Sequence, residues 1–114
     1  MSNSPYKNHV FHEGATGVGV GNIFSVPAMV DLCKLDVVAS EETTFTVEIK
    51  VKGVDESDWK PIAFVNDTTC SIITNSTIID ASANYSIPLR GTSSLRVEIT
   101  AIDGELSIYG RMVG

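Results

Sequence analysis

Cysteine is scarce in this chain, with only Cys33 and Cys70 among 114 residues. Two thiols cannot build the disulfide framework of a small secreted domain. A bond between them would require that they meet across the core, so two reduced, half-buried thiols are expected. Basic residues are also in deficit: eight Lys and Arg stand against fourteen Asp and Glu, for a net charge of −6. That balance excludes the basic stripe of a nucleic-acid binder. No apolar run approaches the ~20 residues of a helical membrane span. The opening Met1-Ser2-Asn3-Ser4-Pro5-Tyr6 has no charged leader followed by an apolar stretch. Synthesis in a cytosol without a signal peptide is therefore expected. No ten-residue segment carries an amphipathic helical period, which removes the helical fold classes.

What remains is a period of two. In the segment 44–52, Phe45, Val47, Ile49 and Val51 alternate with Thr44, Thr46, Glu48, Lys50 and Lys52, as a strand with one buried face requires. The segment 29–39 is strand-like too, with a phase slip near Leu32-Cys33 that suggests a bulge or an edge. Shorter runs at 59–65, 70–74, 77–80 and 85–89 are bounded by Asn, Asp, Ser or Gly. Pro61 and Pro88 push two of them toward sheet edges. At the C-terminus, 95–101 and 106–112 alternate on either side of Asp103-Gly104, a favoured type I′ hairpin dipeptide. A hairpin centred there sets Ala101 opposite Leu106, Ile99 opposite Ile108, Val97 opposite Gly110 and Leu95 opposite Met112. It also places Arg96 opposite Arg111, beside Tyr109, which marks these three as a candidate subunit contact. The whole reads as all-β: a single antiparallel β-sandwich of about seven or eight short strands. Residues 1–22 hold four glycines and no sustained period, so a flexible arm is expected there, with the sandwich over 23–114.

Candidate chemistry is thin. His9, His12 and Glu13 form H-x-x-H-E, but the zinc-protease motif spaces its histidines four apart on a helix, so no metal site is assigned. Gly17-Val18-Gly19-Val20-Gly21 lacks the helix and the Lys-Ser/Thr of a phosphate loop. Asp55, Glu56 and Asp58 crowd the loop before Trp59. Such a loop offers oxygens to calcium, though without the spacing of an EF-hand. Trp59, the sole Trp, reads first as a core or contact anchor and second as a sugar-stacking ring. Asp55, Glu56, Asp58 and Trp59 thus make a candidate binding loop. No nucleophile, acid and base group together, so no catalytic residue and no cofactor are assigned.

The segment Gly53-Val54-Asp55-Glu56-Ser57-Asp58-Trp59-Lys60-Pro61-Ile62 and the closing Gly104-Glu105-Leu106-Ser107-Ile108-Tyr109-Gly110-Arg111 resemble small prophage β-sandwich proteins. From about Ala15 onward the chain is similar to the lytic-cassette proteins of the XepA/YomS type, most of all to the short, single-domain YomS. The resemblance implies a β-sandwich associated with host-cell lysis or envelope contact. It implies a ring-shaped homo-oligomer such as a pentamer, released at lysis or carried in a virion. The alternative is a virion structural or decoration module that binds virion proteins or cell-surface carbohydrate.

Overall fold

A computed structural model of the chain describes residues 8–54, 57–73 and 78–114. Eleven strands lie among them: β1 Asn8–Ala15, β2 Phe24–Ser25, β3 Leu32–Ala39, β4 Thr44–Gly53, β5 Lys60–Pro61, β6 Phe64–Asn66, β7 Ser71–Ile73, β8 Ile78–Ile79, β9 Ala83–Pro88, β10 Thr92–Asp103 and β11 Leu106–Val113. They form two antiparallel sheets. Sheet A has the order β1-β11-β3-β9-β6-β7, and sheet B the order β2-β10-β4-β5, with β8 also paired to β4. The all-β sandwich expected from the alternation is therefore present, with eleven strands among the described residues where the runs suggested seven or eight.

The core lies between the two inner faces. In β4, Phe45, Val47, Ile49 and Val51 are buried, as the period required. From β10 come Leu95, Val97 and Ile99. Sheet A contributes Cys33, Leu35 and Val37 of β3, Phe64 of β6, Tyr85 and Ile87 of β9, and Leu106, Ile108 and Met112 of β11. The Phe64 and Tyr85 rings meet edge to face at 5.8 Å, a geometry that suits their quadrupoles.

The C-terminal hairpin is corrected. β10 pairs with β4, and β11 pairs with β3 and β1. The two strands thus stand in opposite sheets, and Asp103-Gly104 turns the chain across the sandwich. Gly104 has φ +130 while Asp103 is not among the positive-φ residues, so the two positive angles of a type I′ turn are not met. The corner is instead held by the turn after β3. The Ser40 amide donates to the Glu105 carbonyl (3.0 Å), and the Glu105 amide donates to Thr43 Oγ1 (3.1 Å). A Cβ on Gly104 would strike the Thr43 side chain. The apolar sets of both strands still face the core, but they face each other across it. Ala101 leaves the set: a register shift between Ile99 and Ala101 turns it outward and sets Ile102 opposite Phe45.

Two further expectations change. β3 is neither bulged nor an edge. It alternates cleanly from Leu32 in an unbroken register between β11 and β9. The phase slip near Leu32-Cys33 marks the start of the strand, after a turn in which the Val30 amide donates to the Pro27 carbonyl. Pro61 does sit on a peripheral strand, but Pro88 is the last residue of the interior β9, beyond its pairing with β6.

The expected flexible arm does not hold for residues 8–15. They form β1, paired to β11 with register shifts between Val10 and His12 and between His12 and Ala15. The first shift turns both Phe11 and His12 inward, where both are buried, as a bulge does when it re-aims a side chain. Phe11 fills the space above Gly110: a Cβ there would lie 2.7 Å from the Phe11 ring and 3.1 Å from Cys33 Sγ. The chain then crosses to sheet B, where Gly19 and Ile99 exchange both backbone hydrogen bonds at 3.0 and 2.8 Å. Further on, β2 pairs Phe24 with Leu95. Between those points, His12 Nε2 donates to the Val97 carbonyl at 2.7 Å. The imidazole thus supplies a bond at Val97 that the interrupted edge strand does not. Gly21, at φ +64, leaves room for that ring, since a Cβ would come within 2.5 Å of it.

Candidate functional site

The predicted contact residues Arg96, Tyr109 and Arg111 do not come together. Asp55 and Glu56 lie outside the described residues. Asp58 is exposed and Trp59 half-buried. Trp59 is not a core anchor. It lies at the outer face of sheet B, with Lys52 Nζ 4.9 Å and Arg96 Cζ 4.7 Å from its ring centre, within cation–π range. Arg96 also pairs with Glu98 at 3.4 Å, while its buried Nε has no partner among the described residues. Arg96 faces Lys50 of β4, whereas Tyr109 and Arg111 belong to β11 in the other sheet. The face shared by Arg96 and Arg111 is therefore corrected: the two arginines sit on opposite outer surfaces.

The histidines also diverge. His9 Nε2 donates to the Asn22 carbonyl at 2.9 Å, and its ring sits edge-on to Phe11 at 4.5 Å. His12 points into the sandwich. Among the described residues, no group of three His, Cys, Asp or Glu could hold a metal ion. The cysteines are free and unlike: Cys70 is exposed, and Cys33 is buried with its thiol pushed up to about 12 by desolvation. Two half-buried thiols were expected. Cys33 is an inward residue of β3, whereas Cys70 lies in a turn, at φ +57.

A concave surface opens instead on the outer face of sheet A, with a volume of about 730 Å³. Two rows of outward side chains build it, because antiparallel register brings every second residue of neighbouring strands side by side. One row runs Arg111–Lys34–Ser86 across β11, β3 and β9. It is saturated at its centre. Lys34 Nζ donates to Ser86 Oγ (2.8 Å), and Ser86 Oγ donates to Asp67 Oδ2 (2.6 Å). Lys34 and Asp67 also pair directly at 3.5 Å. The other row runs Val10–Tyr109–Asp36–Asn84 across β1, β11, β3 and β9. Among the described residues, the Tyr109 hydroxyl, the Asp36 carboxylate and the Asn84 side-chain amide have no hydrogen-bond partner.

What this surface offers chemically is a set of outward hydrogen-bonding and charged groups. The Ser86 hydroxyl gives its proton to a carboxylate, and the Lys34 ammonium is held by the same carboxylate. Neither is arranged as the nucleophile and base of a covalent mechanism. Tyr109 and Arg111 were legible as outward residues of a closing strand. Lys34, Asp36, Asp67, Asn84 and Ser86 were missed. Their one signal was polarity at alternate positions of 34–36 and 84–86, which does not say which strands are neighbours.

The fold and this face define a two-sheet antiparallel β-sandwich with a concave outer surface on its larger sheet. No family model matches the chain, and no curated protein matches it. Two solved structures share the fold. The SPBc2 prophage-derived protein YomS is 15% identical with a TM-score of 0.83, over 96% of this chain and 93% of that one. The PBSX exported protein XepA is 21% identical with a TM-score of 0.84, over 100% of this chain. This chain spans 40% of XepA. The expected likeness to the XepA/YomS type is thus present at the level of the fold. No helix among the described residues is long and apolar enough to cross a membrane.

Proposed function

We propose that this chain is a prophage-encoded β-sandwich protein that acts by binding at the bacterial envelope during host release, as a homo-oligomer. It is made in the bacterial cytoplasm and meets the envelope when the cell lyses. Two neighbours of the same fold support the reading, one prophage-derived and one exported by name. The observation that carries it is the concave face of sheet A, where Tyr109, Asp36 and Asn84 present unused hydrogen-bonding groups. Pull-down on purified bacterial cell wall tests the binding. Retention of the protein supports it, and recovery entirely in the supernatant overturns it. Light scattering at micromolar concentration tests the assembly: a ring such as a pentamer is expected, and a monomer overturns that part.

The second reading is a virion structural or decoration module that binds virion proteins or surface carbohydrate. The Trp59 ring beside Lys52 and Arg96 favours it, because a half-exposed indole next to cations is a common contact surface. Under that reading Trp59→Ala abolishes wall retention, whereas under the first reading it leaves retention unchanged.

A further inference from the structure

We infer that the Val10–Tyr109–Asp36–Asn84 row on sheet A is a binding site for a neutral saccharide. The inference rests on the envelope-binding reading above and names the ligand class for it. Four adjacent strands carry the row, so its length is roughly 14 Å at the usual ~4.8 Å strand spacing. A depression of about 730 Å³ lies within the range of small-molecule sites.

The composition of the row selects the ligand. Asp36 only accepts when ionised, the Asn84 amide both donates and accepts, and the Tyr109 hydroxyl does both. Side by side, these groups match vicinal hydroxyls, each of which is a donor and an acceptor. Val10, 40% exposed, and the body of the Tyr109 ring add apolar surface for the C–H face of a sugar ring. Two carboxylates, Asp36 and Asp67, and two cations, Lys34 and Arg111, line the depression, so its field favours neither sign. A phosphate or other anion would meet the Asp36 carboxylate at the centre of the row, and burying like charges together is costly.

Two features keep the row available and set its shape. The neighbouring Lys34–Ser86–Asp67 network satisfies itself, so it holds β3, β9 and the turn after β6 in place without consuming the groups of the row. The free edge of β1 is meanwhile closed to an added peptide strand. The Asn22 amide donates to the Phe11 carbonyl at 3.1 Å, and Asn22 Nδ2 donates to the Val10 carbonyl at 2.9 Å. That cover blocks strand addition, the commonest way for a sheet edge to take a polypeptide.

Titration of the ¹⁵N-labelled full chain with chitotetraose, cellotetraose and inorganic phosphate, followed by amide shifts, tests the inference. Saturable shifts confined to β1, β11, β3 and β9 are expected with at least one saccharide and none with phosphate. Asp36→Asn and Asn84→Ala should each weaken binding by about tenfold or more, the equivalent of one or two well-made hydrogen bonds. Their melting temperatures should stay unchanged, because both side chains are exposed. The inference is overturned if neither saccharide shifts these amides, or if the shifts survive in the double variant. Wall pull-down in parallel separates the two failures. Retention on wall without saccharide shifts removes the ligand class and leaves the envelope reading standing; loss of both removes both.

Discussion

β4 and the segment that carries β1 sit in the same sandwich and were unequally legible. β4 alternates without a break, and every apolar residue in it is buried. The segment from His9 to Gly21 has no period. It holds four glycines, yet it delivers Phe11 and His12 to the interior. The difference teaches that a period reports regular pairing, not burial. Bulges in β1 break the alternation while keeping the side chains inside. The strand was hidden in the sequence because it is irregular, not because it is loose.

The comparison breaks most sharply at Phe11 and Ile49. If both segments are equally part of the core, Phe11→Ala should cost about 3–5 kcal/mol and Ile49→Ala about 2–5 kcal/mol in denaturant unfolding. A Phe11→Ala loss below about 1 kcal/mol would restore the picture of an arm.

The next effect is set by Cys33, which like Phe11 lies close to Gly110. Its thiol is raised from 9.0 to about 12 in the folded chain, so the unfolded chain loses that proton first as pH rises. Above pH 9 the unfolded state binds fewer protons, and stability falls by about 1.4 kcal/mol per pH unit until the folded thiol titrates. Cys33→Ala should flatten that slope between pH 9 and the onset of general alkaline unfolding. At neutral pH a thiol reagent should label Cys70 rapidly and Cys33 only on unfolding.

Smaller effects sharpen the picture of the N-terminal segment. His12→Ala should cost about 1–3 kcal/mol, because the Val97 carbonyl is then left buried without its donor. Gly110→Ala should cost a similar ~1–3 kcal/mol through collision with the Phe11 ring. In the double variant Phe11→Ala with Gly110→Ala the two costs should fail to add, since the added methyl enters the space that the ring vacated. Additive costs would mean that the two residues do not share that space. The smallest effect is expected on sheet B, where Lys52→Ala removes one cation from the Trp59 ring at about 0.5–1 kcal/mol.

Gly110 was itself a trace of the hidden strand. A glycine at an inward position of an alternating strand marks a close approach by something bulky; only the fold says that the bulky group is Phe11. The candidate site divides in the same way. Tyr109 was readable as a residue of an outward face, and Asp36 and Asn84 as polar positions in strands. The register that aligns them joins β11, β3 and β9 over long stretches of chain, and no local pattern carries that. Of the two anchor readings of Trp59, core and contact, size and rarity suggested the first, whereas its position beside Lys52 and Arg96 depends on how β5 meets the outer face of sheet B.

The sequence alone determined that this chain is all-β, and which residues of its regular strands face inward. Both follow from the two-residue repeat of side chains along an extended backbone. The tertiary structure decided which sheet each strand joins. An inward apolar face is buried equally well beside a neighbour in its own sheet or opposite one across the core, so the alternation of 95–101 and 106–112 fits a hairpin and a crossover alike. The corner at Gly104, docked on Ser40 and Thr43, made it a crossover. That choice separated Arg96 from Arg111 and set Tyr109 beside Asp36.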